Sequence, residues 1–254
     1  MADDFAYDLS AALPILNKLG GQEDLVASIQ RALSTASAHQ DLSDASDALD
    51  FLISLTKRED HASLSGSERT IIVGCLFAQA IILYARATET KPIERERWFG
   101  RDKLKGDLRE LHVEAMELRN HALAHFGKAA EMADGPLVAE ALVMRRVTDG
   151  VGITFYSARA QNRAHFADRF AALVWHVQSL AYDATQARYA DLGTALAAAS
   201  KRNPAVPALM RRFRFDPNAF CDVPGWFEAF DGKSEPGAFK ADGSISRPNE
   251  GRAR

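Results

Sequence analysis

Arginine, asparagine and two histidines crowd into seven consecutive residues, Arg119-Asn120-His121-Ala122-Leu123-Ala124-His125. A guanidinium grips phosphate oxygens in pairs and keeps its charge at any ordinary pH, and an imidazole exchanges a proton near neutrality. With an amide to orient them, these groups suit phosphodiester chemistry. Arg119 would stabilise charge on a phosphorane-like transition state, His125 would move a proton, and Asn120 would orient.

Two other readings fit the same residues. Glu117, His121 and His125 follow one another at four-residue steps, which puts a carboxylate and two imidazoles on one helical stripe, a spacing that suits a metal ion. Histidines near a helix C-terminus also cap free carbonyls and meet the negative end of the helix dipole, a purely structural role. Spacing alone leaves all three open. Six residues of regular helix rotate by roughly 240°, so Arg119 and His125 would not share a face. A distorted helix end, the reach of the arginine or a second subunit must bring them together.

The elements that must position this stretch are helical. Leu104, Leu108, Leu111, Ala115, Leu118 and Ala122 recur at three and four steps, which predicts a core-facing helix from about Arg101 to His125, with Gly127 as a stop. Before it, Ser67 is a plausible N-cap for a helix running to about Thr90, where Pro92 ends it. The segment Lys91 to Lys105 is dense in charge of both signs and reads as a solvated linker, with a phosphate-binding strip as the alternative. Residues 1–63 form an acidic extension of two or three short helices. Gly20-Gly21 divides the first two, Leu25, Ile29 and Leu33 mark a face of the second, and Asp41, Asp44, Asp47 and Asp50 line a solvated face.

Beyond the motif the period changes. Leu137 to Val147 and Val151 to Ala158 are rich in strand-forming residues around Thr148-Asp149-Gly150, which predicts a β-hairpin at about 137–160. Helical spacing returns from Ala164 to about Ser200, with Phe166, Phe170, Leu173, Val174 and Val177 on one face, and ends before Asn203-Pro204. Between Leu192 and Phe215 the charges are all basic, Lys201, Arg202, Arg211, Arg212 and Arg214. A Pro/Gly-rich segment with Phe220, Trp226, Phe227 and Phe230 follows, and the last residues from about Lys240 read as disordered. The domain reading is an extension at 1–63, a helical bundle at 64–202 and an irregular tail at 203–254.

With 254 residues, net charge −3 and a pI near 6.2, the chain can bury a sizeable core, and any nucleic-acid site on it must be local. Cys75 and Cys221 have neither ligand nor disulfide spacing and read as reduced thiols. Asp3, Asp4 and Asp8 stand where a secretory signal would be basic and then apolar, so the cytoplasm is the expected compartment. The longest apolar stretch, Thr70 to Ala85, contains Gln79 and falls short of the roughly 20 residues of a bilayer span, so a core helix and no membrane partner are expected.

Leu118-Arg119-Asn120-His121-Ala122-Leu123-Ala124-His125 resembles the diagnostic motif of the HEPN domains, an Arg followed by a polar residue with a His four to six positions on, near the end of a bundle's third helix. Ala80-Ile81-Ile82-Leu83-Tyr84-Ala85-Arg86 and Leu108 to Leu118 extend the likeness, which covers Ser67 to about Ser200 with the hairpin as an insertion before the last long helix. The resemblance implies a mainly α, antiparallel helical bundle and a homodimer whose two Arg/His pairs line one cleft. It further implies a metal-independent endoribonuclease that needs no cofactor. Arg119 would hold the scissile phosphate, His125 would act as acid or base during attack by the ribose 2′-hydroxyl, and Asn120 would orient. RNA is then the expected partner, and a toxin or defence role with a neutralising protein partner follows from the family. His121 inherits no role. Phe126-Gly127 departs from the polar or acidic residues that often follow the motif. A non-catalytic binding or scaffold protein of the same fold is the alternative.

Overall fold

Apolar residues at three and four steps dominate the chain, and it folds accordingly into helices with one antiparallel strand pair. The computed structural model describes residues 6–57, 64–89, 98–123, 138–147, 150–159 and 164–215. Helix α1 spans Leu9–Lys18, and the Asp8 side chain caps it by accepting from the Ala11 N–H. Gly20 and Gly21, with φ of +63° and +67°, turn the chain into α2.

Helix α2 runs unbroken from Glu23 to Lys57, one helix of 35 residues rather than several short ones. Its middle, around Ala38-His39-Gln40-Asp41, has neither glycine nor proline, so nothing interrupts the backbone hydrogen bonds. Leu25 and Ile29 are buried as expected, but Leu33 is exposed and the inward positions are Val26 and Ala32.

Helix α3 covers Gly66–Thr88. Its cap is Ser65, not Ser67, because Ser65 and Glu68 have the reciprocal capping-box spacing: the Ser65 hydroxyl accepts from the Glu68 N–H and the Glu68 carboxylate accepts from the Ser65 N–H. Pro92, the expected stop, lies outside the described residues. The predicted continuous helix 101–125 is divided. Arg101–Lys103 make a single 3-10 turn, Gly106 takes φ +52°, and only then does α4 begin, at Asp107–Glu117. A π-helical turn, Leu118–Leu123, continues it.

Strands β1 (Val138–Val147) and β2 (Gly150–Arg159) pair antiparallel, Leu142 opposite Phe155 and Met144 opposite Ile153, as the strand-forming composition predicts. Thr148 and Asp149 of the expected turn lie outside the described residues. Helix α5 extends from Ala164 to Arg202, and α6 covers Ala205–Met210.

The described residues group into two units, one of Ser37–Asp183 and one of the residues up to Ala36 and from Ala184 onward. The larger unit holds a core of Leu42, Leu49 and Leu52 from α2, Phe77, Ile81 and Tyr84 from α3, Leu111 and Ala115 from α4, and Phe166, Phe170, Val174 and Val177 from α5. Phe166 stacks on Phe170 with ring centroids 5.5 Å apart and meets Phe77 edge-on at 5.8 Å. Each such fully buried side chain contributes about 2 kcal/mol. Asp41 is a buried carboxylate of this unit: it accepts from Arg86 Nε at 2.7 Å and from a second guanidinium nitrogen. The smaller unit packs Leu16, Leu25, Ile29, Val206 and Met210.

Helix α3, at 23 residues and mean hydropathy 1.8, is long and apolar enough to cross a membrane, more so than the apolar run alone suggests, and half of its apolar window is buried in the fold.

Candidate functional site

Leu111, Ala115 and Leu118 face the core from α4 and its extension, so their neighbours Glu117, Arg119 and Asn120 are turned to solvent. Arg119 donates from a terminal guanidinium nitrogen to Asn120 Oδ1 at 2.9 Å. That contact holds the asparagine amide against the cation, and the arginine is exposed. Among the described residues no carboxylate pairs with Arg119. Exposed and positively charged, it has what a phosphate needs.

The helix end is distorted, one of the three ways by which Arg119 and His125 could be brought together. Leu118–Leu123 form a π-helical turn, in which each residue rotates the chain less than in an α-helix, so the angular offset of a regular helix does not hold beyond Leu118. His121 lies within this turn, and His125 lies outside the described residues. The structure therefore brings together Arg119 and Asn120 of the expected trio. Among the described residues no group of three or more His, Cys, Asp or Glu is placed to hold a metal ion.

Seven residues before Arg119 lies a site that the sequence reading passed over. His112 is completely buried, with its Nδ1 2.8 Å from the Tyr84 hydroxyl and its Nε2 3.1 Å from Glu89 Oε1. A carboxylate only accepts, so Nε2 carries the proton and donates to Glu89, and in the neutral ring Nδ1 then accepts from the tyrosine. Arg101 donates from Nε to the same Glu89 oxygen at 2.9 Å. The Arg101 hydrogen bond, and after it the one from His112, holds the Glu89 carboxyl below its ordinary range against the opposing effect of partial burial. Burial, with the Glu89 charge second, pushes the Tyr84 phenol far up, so it stays protonated.

Aromatic rings enclose this chain. Tyr84 packs edge-on against Phe170 at 5.2 Å and Phe99 lies 6.0 Å from His112. Trp98 donates its indole N–H to the Ala87 carbonyl at 2.7 Å, and the Lys103 ammonium sits 5.5 Å from its ring. An open depression of about 630 Å³ lined by Glu89, Trp98, Phe99, Gly100, Arg101 and Asp102 leads to the carboxylate end. Tyr84 and His112 are closed off from it in the core, so the network acts as a brace between α3 and α4. The charged linker, read as solvated or as a phosphate-binding strip, supplies Arg101 to that brace. The sequence signal was faint: one histidine at a core position of an otherwise apolar stripe.

The other expected basic feature, Lys201, Arg202, Arg211, Arg212 and Arg214, is exposed throughout and belongs to the smaller unit. Compared with family models, characterised proteins and solved structures, the chain has no match.

Proposed function

We propose that this chain is a HEPN-like helical bundle that cleaves RNA without a metal ion, as a homodimer in the cytoplasm, in a toxin or defence role that a protein partner restrains. The observation that carries the reading is Arg119, exposed on a π-turn at a helix end, bonded to Asn120 and unopposed by a carboxylate among the described residues. In this mechanism the Arg119 guanidinium holds the non-bridging oxygens of the scissile phosphate, and Asn120 fixes the guanidinium plane.

The ribose 2′-oxygen attacks phosphorus and the bond to the 5′-oxygen breaks. One histidine takes the 2′-hydroxyl proton and another group returns a proton to the departing 5′-oxygen, leaving a 2′,3′-cyclic phosphate. His125 is assigned to that proton transfer. The reaction is internal to RNA, so DNA, which lacks the 2′-hydroxyl, is not a substrate.

The test is incubation of purified protein with mixed RNA in chelator, comparing wild type with Arg119→Ala and His125→Ala. Cleavage by wild type alone supports the mechanism. Cleavage that survives both substitutions contradicts it, cleavage that needs added metal moves the assignment to Glu117, His121 and His125, and RNA binding without cleavage by any form favours a non-catalytic binding protein.

A further inference from the structure

The outward face of α3 is apolar where a surface helix is ordinarily polar. Ile71 is 61% exposed and Ile82 50% exposed, with exposed Cys75 and half-buried Ala78 between them. Their steps of four, three and four are those of a coiled-coil seam, distinct from the stripe of Phe77, Ala80, Ile81 and Tyr84 by which α3 enters the core. Helix α3 thus has two apolar faces, and among the described residues the fold covers one.

We propose that this second face docks antiparallel on the same face of a second copy of the chain. The four seam residues are symmetrical about the point between Leu76 and Phe77, so a two-fold axis there sets Ile71 against Ile82 of the second copy and Cys75 against Ala78 of the second copy. Small side chains at the centre let the helices approach closely. Charge selects the orientation: Glu68 is exposed at one end of the seam, and Arg86, whose side chain stays 52% exposed while it pairs with Asp41, stands at the other. The antiparallel arrangement brings Glu68 alongside Arg86 of the second copy, whereas a parallel one sets like charge on like. The same charges at the seam's ends, with Gln79 beside it, suit the edges of a helix pair better than lipid.

The interface stands on α3 alone, and its bearing on cleavage rests on the reading of Arg119 given above. Helix α4 runs antiparallel to α3, because His112 lies against Tyr84 and Glu89 near the α3 C-terminus and the π-turn farther along still packs on α3. Arg119 is seven residues past His112, roughly 10 Å of helix rise, which brings the π-turn level with the middle of α3 along its length. A dimer through this face supplies the second copy that the cleavage reading calls for. A helix of 23 residues is roughly 34 Å long, and one such pair covers less than the ~800 Å² per partner of a standard interface, so the dimer dissociates on dilution.

Light scattering from roughly 1 to 100 µM protein tests this, with Ile71→Asp and Ile82→Asp as variants. The expected result is a mass that rises from monomer to dimer for wild type, with dimerisation weakened at least about tenfold in each variant while circular dichroism and melting temperature stay unchanged. In the Cys221→Ser protein, Cys75 is the remaining thiol and a short bis-maleimide should join two copies through it. A wild type that stays monomeric and uncrosslinked overturns the proposal, as does a dimer indifferent to both substitutions. Flotation of monomeric protein with phosphatidylcholine vesicles also overturns it, in favour of lipid on this face. A dimer that depends on Ile71 but cuts no RNA upholds the interface and overturns the ribonuclease reading. Equal cleavage by wild type and the monomeric variants upholds that reading and overturns the role of docking in it.

Discussion

Tyr84 and His112 share a 2.8 Å hydrogen bond between two side chains that water does not reach. It joins the last turns of α3 to the second turn of α4, and through Glu89 and Arg101 it extends to the 3-10 turn that precedes α4. This one chain of contacts fixes the register of α4 on α3, and so the direction in which the π-turn presents Arg119.

Substituting His112 by Phe keeps the ring volume but strands the Tyr84 hydroxyl and removes one donor from Glu89. The expected loss is about 2–4 kcal/mol, against about 1–3 kcal/mol for Tyr84→Phe, which leaves Nδ1 without its donor. Urea denaturation measures both. A His112→Phe protein as stable as wild type would show that the hydrogen bonds contribute nothing.

Acid should weaken the same brace. The folded-state Glu89 carboxyl lies below its unfolded value because Arg101 and His112 donate to its charged form. Its contribution is therefore fully present above the unfolded value and is lost as pH falls through the lower, folded one. Glu89→Gln should flatten the acid limb of a melting-temperature profile and leave its neutral-to-basic limb parallel to wild type. An unchanged acid limb would contradict the assignment.

Gly106, with φ +52° and ψ −137°, separates the 3-10 turn from α4. A Cβ there meets no atom within 4 Å outside the neighbouring residues, so the cost of Gly106→Ala is conformational alone, about 1–3 kcal/mol. Thermal denaturation of this variant should show a lower midpoint, and an unchanged midpoint would mean that the chain reaches α4 by another backbone path.

The helical class and α5 were legible because one period repeats over many residues, Phe166, Phe170, Val174 and Val177 at helical steps, and the hairpin because strand-forming residues flank the turn signal Thr148-Asp149-Gly150. The length of α2 was not, since its Ala, Ser and Asp residues weaken periodicity without breaking the helix. The break at Gly106 was hidden by Leu104 and Leu108, which continue the apolar spacing across it although Leu104 is buried from outside the helix. Arg119 and Asn120 could be singled out because guanidinium and amide stand together at a helix end, whereas His112 could not, because its partners are 28 and 23 residues away and only the packing of α3 on α4 brings them near.

On the hairpin, Leu142 and Phe155 face one another while 76% and 56% exposed. Replacing either with Thr should change stability by less than about 0.5 kcal/mol, with a coupling between them of about 0.2–1 kcal/mol in a double-mutant cycle. A single-site loss above 2 kcal/mol would mean that another part of the chain covers this face.

The central claim is that Arg119 holds a phosphate for cleavage by the neighbouring ribose hydroxyl. Its most direct measurement is the rate and end chemistry of RNA cut in chelator by wild type, Arg119→Lys and Arg119→Ala. The account predicts 2′,3′-cyclic phosphate ends from wild type, a rate at least about a hundredfold lower for Arg119→Ala, and only partial recovery in Arg119→Lys, which keeps the charge and loses the paired donors. Wild-type cleavage that leaves 3′-hydroxyl ends, or an Arg119→Ala rate equal to wild type, would contradict it.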